Sequence, residues 1–348
     1  MNKNSFISAA VAAISILTGC AKEGSVSGNT AAQKQLTAWM QLHYPDATQT
    51  ELGTYIIEDE EGTGELLGDI YTHPFFSMRF TARDLDGNIS ESTEEVIAKQ
   101  LGSYNSSYYY GPITADRYTT SDDDEFAITA GMDDAISTMR VGGRRKVIIP
   151  GWLMTFARFS GASGYLDNAS GTNMMYDIEI TDAIYDLFQY QVDSIETYME
   201  RNLEKVDSTI NGLYYVQHVA PEDTTGYESG EIVYVNYIGR LLNGQVFDTT
   251  IKDTAKVYGI YDPDTDYEPM GIKLASDYTE NSMASSSSST FIEGFSYCIS
   301  QMRKGEVGTT VFYSTLGYGE SASGNIIPAY SPLRFDIEFL GPDEDDEE

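Results

Sequence analysis

FIEGFSYCISQMRKGE, residues 291–306, is the stretch on which the fold turns. Phe295, Cys298, Ile299 and Met302 stand at i, i+3, i+4 and i+7. That spacing puts all four on one face of a short helix. A face this apolar has to be buried against another element. The flanking segments offer strands. Ile232 to Ile238 alternates through Val233 and Val235, and Leu333 to Leu340 alternates as Leu, Phe, Ile, Phe. The expected architecture is an α+β domain in which an antiparallel sheet wraps around one short amphipathic helix.

The same plan is written twice. Met132, Ala135, Ile136 and Met139 repeat the helical spacing, and Met139-Arg140-Val141-Gly142 parallels Met302-Arg303-Lys304-Gly305. Leu52-Gly53-Thr54-Tyr55 parallels Asn211-Gly212-Leu213-Tyr214, and Gly68-Asp69-Ile70-Tyr71 parallels Gly230-Glu231-Ile232-Val233. Tyr176-Asp177-Ile178-Glu179 parallels Phe335-Asp336-Ile337-Glu338. The offset between the copies is nearly constant, which marks an internal repeat. The expected organisation is a domain over 35–182, a helical linker over 183–210 with its helix near Ala183–Lys205, and a second domain over 211–341. An acidic tail, 342–348, follows. A helix near Gln35–His43 is expected to open the first domain.

The N-terminus reads as an export signal. Lys3 supplies a positive n-region, and Phe6 to Leu17 is an apolar run too short to span a bilayer. It ends in Leu17-Thr18-Gly19-Cys20, where small residues precede a thiol able to accept a lipid. Residues 1–19 are therefore expected to be a signal peptide and Cys20 a lipidation site. Residues 20–34, small and polar, would tether the fold to a bacterial cell-envelope membrane, periplasmic or surface face. With Cys20 so used, Cys298 has no intrachain partner and is expected to be a buried small hydrophobe.

Composition narrows the function. The chain has 348 residues, 41% hydrophobic, with a net charge of −33. That length suits two domains, and that charge repels phosphate backbones, so nucleic-acid partners are excluded. His43, His73 and His218 are scattered and form no metal-ligand spacing. Gly62-Thr63-Gly64 with Gly68 lacks the spacing and the following helix of a phosphate loop. No Gly-x-Ser-x-Gly elbow is present. Asp262, Asp264, Asp266 and Glu268 alternate as calcium ligands would, but Tyr267 and Lys273 occupy the positions that need Gly and Glu, which favours a solvated acidic loop. No cofactor is expected. Ser285–Ser289 reads as a flexible loop tip.

What remains is a concentration of aromatic residues in the second copy, beyond the needs of a plain core. In order these are Tyr237, Phe247-Asp248, Phe291-Ile292-x-Gly294-Phe295, Gly317-Tyr318-Gly319, Ile326-Ile327-Pro328 and Phe335. From about Gly212 to Leu340 this resembles the FKBP-type peptidyl-prolyl cis-trans isomerase family, weakly so over the first copy. The resemblance implies a proline pocket in which Asp248, Tyr318 and Tyr237 carry catalysis. Phe247, Phe291, Ile292, Phe295, Ile327 and Phe335 would bind the proline, with Phe295 replacing the family's floor tryptophan. Asn243 stands for the Asp of the Asp-Gly turn, and Met270 and Ile272 for two wall phenylalanines. Residues 250–290 form a longer insert than small members carry, able to add client contacts or to cover part of the pocket. The first copy is expected to keep the frame and lose the pocket: Asp86-Gly87-Asn88-Ile89-Ser90 stands at the Phe-Asp turn, with Thr129 and Met132 at the floor and no Tyr-Gly after Pro150. The implied function is an isomerase assisting the folding of exported, proline-containing polypeptides, active in the second domain. Two alternatives stay open. One is a non-catalytic chaperone or adaptor using the same fold. The other is a glycan-binding surface lipoprotein, for which Tyr108-Tyr109-Tyr110 would stack on sugars.

Overall fold

The computed structural model describes residues 28–118, 128–168, 171–203, 207–210, 212–222, 224 and 226–342. Lys3, Cys20, the export signal and the acidic run 343–348 lie outside the described residues. No helix among the described residues is long and apolar enough to cross a membrane.

Two antiparallel sheets carry the two halves. In the first, Tyr55–Glu60, Arg144–Ile149, Met174–Ile184 and Phe75–Arg83 lie side by side, and Ile89–Ser92 and Ile113–Asp116 both pair with Phe75–Arg83. In the second, Leu213–Val219, Val307–Phe312, Leu333–Gly341 and Ile232–Leu241 repeat that order, and Val246–Thr249 and Met270–Lys273 both pair with Ile232–Leu241. The repeat read from the sequence is thus a repeat of topology. Its detail extends to single bonds. Gly142 and Gly305 both adopt left-handed backbone, φ 79° and 77°, where a side chain would be strained. Each donates its N–H across the sheet over 2.8 Å, Gly142 to Ile180 O and Gly305 to Phe339 O. Arg83 pairs with Asp177, and Arg240 with Asp336 at 3.0 Å, at matching register positions.

The helices behave as their spacing requires. Ala130–Ile136 buries Met132, Ala135 and Ile136, with Met139 just beyond its end; Glu293–Gln301 buries Phe295, Cys298 and Ile299, with Met302 just beyond. Each set belongs to the hydrophobic core of its own half. Cys298 is free and fully buried, and burial pushes its thiol up to about 12, so it behaves as a hydrophobe.

Three boundaries differ from expectation. The opening helix runs Gly28–His43, not Gln35–His43: Ala31, Ala32, Gln33 and Lys34 are strong helix formers, and Leu36 and Met40 anchor the helix in the first core. The described end of the tether is therefore helical. The linker helix is Leu187–Asn202, shorter than Ala183–Lys205. Ala183 and Ile184 are held in the strand Met174–Ile184, opposite Phe76 and Phe75, and Asp186 caps the helix by accepting from Gln189 N–H. Ser285–Ser289 is not a bare loop tip: Ser286–Thr290 forms an edge strand on Ser282–Met283, which in turn pairs with Met270–Lys273. The insert 250–290 thus lengthens the second sheet.

Three buried or half-buried phenols give the fold a pH limit. Burial pushes Tyr176, Tyr190 and Tyr214 up to about 12, helped respectively by Glu91, Asp182 and Glu196. Phenols in the unfolded chain titrate near 10. Above that pH the unfolded chain releases protons that the native chain keeps, so stability falls as pH rises. The melting temperature is expected to be level from pH 8 to 9 and to drop steeply by pH 11. An unchanged value at pH 11 would contradict these assignments.

Candidate functional site

The aromatic residues singled out in the sequence converge on one face of the second sheet. Tyr237 and Phe335 come from the adjacent strands Ile232–Leu241 and Leu333–Gly341, and Phe247 from the short strand paired with the first of these. Phe295 rises from the helix beneath. Phe335 is the hub, with ring centroids 5.0 Å from Phe295, 5.6 Å from Phe247 and 6.0 Å from Tyr237. Tyr237 stands edge-on to Phe295 at 5.6 Å, and Phe291 lies 5.7 Å from Phe295. Edge-to-face and tilted pairs are the arrangements favoured by ring quadrupoles. Phe295, Phe335 and Ile327 are buried, whereas Phe247, Phe291 and Ile292 are half-buried at the mouth. Ile292 is the residue from which the helix Glu293–Gln301 starts.

One polar pair marks the rim. The Tyr237 hydroxyl donates to Asp248 Oδ2 at 2.6 Å, and Thr249 N–H donates to Asp248 Oδ1 at 2.8 Å. Burial, then the Asp248 charge and hydrogen bond, hold the Tyr237 phenol far above its ordinary value, so it stays a neutral donor. Tyr318 is 41% exposed, and burial followed by the Asp248 charge raises its phenol too. Both hydroxyls therefore keep their protons at neutral pH. The result is an apolar cup with a fixed carboxylate and two phenols at its lip. Asp248 is itself exposed. Of the two residues assigned to the walls, Ile272 is fully buried opposite Val233 and Met270 is half-buried opposite Val235, both against the core.

Sequence reading missed two contributors. Phe312 stacks under Phe335, 5.9 Å away and 10° from parallel. A side chain at Gly239 would bring its Cβ to 2.6 Å from Phe247 and 3.1 Å from Phe335. Glycine there lets the two rings close over the strand. The one available signal was a glycine inside an otherwise regular strand pattern.

The first half corrects an expectation. Its hollow is not lost: a cavity of about 590 Å³ lies among Met78, Phe80, Thr129, Met132 and Tyr176, walled by Tyr108, Tyr109 and Tyr110. Nor is the acid absent. Glu91 pairs with Ala82 as Asp248 pairs with Gly239, so Ser90-Glu91 takes the register of Phe247-Asp248. What differs is the position of Tyr237, where Phe80 stands and has no hydroxyl to donate; the phenol that Glu91 raises is that of Tyr176, on the neighbouring strand. Small Ser90 and Thr129 in place of Phe247 and Ile292 leave the cavity unfilled.

Among the described residues, no group of three or more His, Cys, Asp and Glu is placed to hold a metal ion. The acidic run 262–268 is an exposed turn in which Asp264 N–H donates to the Asp262 carboxylate at 2.9 Å.

An antiparallel sheet on a short helix, with an aromatic cup between them, defines the FKBP-like α+β class. Residues 265–340 match the family model described as FKBP-type peptidyl-prolyl cis-trans isomerase. The similarity to that family is confined to the C-terminal domain. It is 29% identical over 136 residues to a probable FKBP-type peptidyl-prolyl cis-trans isomerase of Haemophilus influenzae, covering 39% of this chain and 44% of that one. It is 28% identical over 127 residues to FK506-binding protein 2 of Dictyostelium discoideum, 36% of this chain and 76% of the other. It is 33% identical over 92 residues to a short-type peptidyl-prolyl cis-trans isomerase of Methanocaldococcus jannaschii, 26% and 50% of the respective chains. The matches thus span about half the length of the bacterial and archaeal relatives.

Proposed function

We propose that the C-terminal domain is a peptidyl-prolyl cis-trans isomerase acting on exported polypeptides. The observation that carries this reading is the cup around Phe335 with the Tyr237–Asp248 pair at its lip. An X-Pro bond resists rotation because amide resonance sets a barrier of about 18–20 kcal/mol. No nucleophile or metal is needed to lower it. The amide has only to twist out of conjugation, and the twisted form is less charge-separated than the planar one. Apolar rings favour that form and grip the pyrrolidine. Tyr318 donates to the substrate carbonyl, and Asp248, held by Tyr237, sets the electrostatics of the lip. The test is a proline-peptide isomerisation assay on the soluble chain from residue 21. No acceleration over the uncatalysed rate would end this reading.

The first domain, with a hollow but no Tyr-Asp pair, suits binding of client polypeptide without isomerisation. The lipid on Cys20 would hold both domains at the cell-envelope membrane, outside the reach of ATP-driven chaperones, where an ATP-independent folding catalyst is useful. Wild-type protein in a bacterial host is expected to incorporate labelled palmitate and lose residues 1–19. Cys20→Ser is expected to do neither. Labelling of the Cys20→Ser variant would overturn the anchor.

A further inference from the structure

The loop from Ser314 to Ser331 carries Tyr318 and Ile327, and several of the groups that hold it lie outside the C-terminal domain. Gln191, on the linker helix Leu187–Asn202, is 2% exposed. Its Nε2 donates to Ser314 Oγ and to Tyr330 O, both at 3.0 Å, and its Oε1 accepts from Ser314 N–H at 2.8 Å. A buried amide so fully bonded specifies one position for what it touches. The bonds then pass to Gly317 and Gly319, the two residues that flank Tyr318. Gly317 and Gly319 N–H both donate to Ser314 O at 2.8 Å, and Tyr330 N–H donates to Gly319 O at 2.8 Å. Tyr330 sits in left-handed backbone, φ 58°, which a non-glycine residue adopts only when its surroundings enforce it. The first domain supplies the rest of the enforcement. Phe75 meets the Tyr330 ring edge-on at 5.5 Å, and Tyr109 N–H donates to Asn325 O at 2.7 Å. Asn325 and Pro328 also form part of the wall of the first-domain cavity.

We propose that Gln191 is a positioning residue for the isomerase site, and that the linker helix and first domain together form the outer frame of its Tyr318 loop. This rests on the isomerase reading of the C-terminal cup. The N-terminal half then sets how much of the time the loop stands ready for substrate. Loosening the loop lowers the competent fraction, which raises the apparent dissociation constant in proportion.

The test uses the full soluble chain from residue 21 and the variant Gln191→Glu. The carboxylate keeps the shape and the acceptor for Ser314 N–H, but has no N–H to donate to Ser314 Oγ or Tyr330 O. Two readouts are taken together: amide exchange of peptides covering 314–331, and the split of kcat against KM on a proline peptide. Exchange in 314–331 is expected to speed up about tenfold while the helix 293–301 is unchanged, and KM to rise about tenfold with kcat within roughly twofold. Phe75→Leu, which removes only the edge contact on Tyr330, is expected to move both readouts the same way by less. It also serves if Gln191→Glu fails to fold. Unchanged exchange, or faster exchange with unchanged KM, would overturn the positioning role. A wild type with no turnover at all would instead overturn the isomerase reading, and the exchange result alone would then decide whether Gln191 anchors the loop.

Discussion

Asp248→Ala combined with Tyr318→Phe is expected to lower kcat/KM for proline-peptide isomerisation by about 10- to 100-fold or more while leaving the fold intact. A hydrogen bond that involves a charged group is worth about 1.5–3 kcal/mol, and each 1.4 kcal/mol is tenfold. Both groups stand at the lip, where Asp248 is exposed and Tyr318 is 41% exposed, so removing them opens no cavity in the core. Asp248→Asn separates the two contributions of the carboxylate. The amide oxygen can still accept from the Tyr237 hydroxyl, so the lip geometry is kept and only the charge is lost. If the charge acts on the amide, Asp248→Asn resembles Asp248→Ala. If Asp248 serves only to orient Tyr237, Asp248→Asn resembles wild type and Tyr237→Phe reproduces the loss. Because the Tyr237 and Tyr318 phenols are both held above their ordinary values, the rate is expected to be flat from pH 6 to 9. Wild-type activity in the double variant would show that the lip plays no part.

The helix face at Phe295, Cys298, Ile299 and Met302 was legible in the sequence because a 3.6-residue period is a local property, and all four residues are buried as that period requires. The repeat was legible for a related reason: the Met-Arg turns and the Asp177 and Asp336 strands are short motifs with their own backbone demands. Glu91 was hidden because its role depends on register. A β-bulge between Ala82 and Arg83 shifts the pairing so that Glu91, not the Asp86-Gly87 turn, meets the position of Asp248. Gln191 was hidden more deeply. Nothing in a linker sequence announces that a glutamine will bond to Ser314 and Tyr330, more than a hundred residues away in the chain, since that contact exists only once the linker helix has packed on the C-terminal domain. The edge strand Ser286–Thr290 was missed because four serines and a threonine carry no apolar alternation. What orders them is the neighbouring strand, supplied by the insert itself.

Phe335→Ala is expected to be the most damaging single core change, costing about 3–5 kcal/mol. The ring is 5% exposed and touches Tyr237, Phe247, Phe295 and Phe312 at once, so its loss leaves a cavity that no single neighbour can fill. The strand that carries it lies between Ile232–Leu241 and Val307–Phe312 and cannot move inward without breaking both ladders. For a domain of this size that cost lowers the melting temperature by about 10 °C or more. Phe335→Leu keeps most of the volume and is expected to cost under about 1.5 kcal/mol. It nonetheless removes the ring on which the cup is centred, so activity should fall further than stability. The pair of variants therefore separates packing from catalysis at one position. Calorimetry adds a second discrimination. Phe335 belongs to the C-terminal core alone, yet the linker helix and first domain are bonded to the same domain through Gln191, Tyr109 and Phe75. If those bonds couple the halves, Phe335→Ala shifts the unfolding of the whole chain as one transition. If they do not, the first domain keeps its own melting temperature while the second falls away beneath it. A melting temperature within about 2 °C of wild type for Phe335→Ala would show that the ring is not the centre of this core.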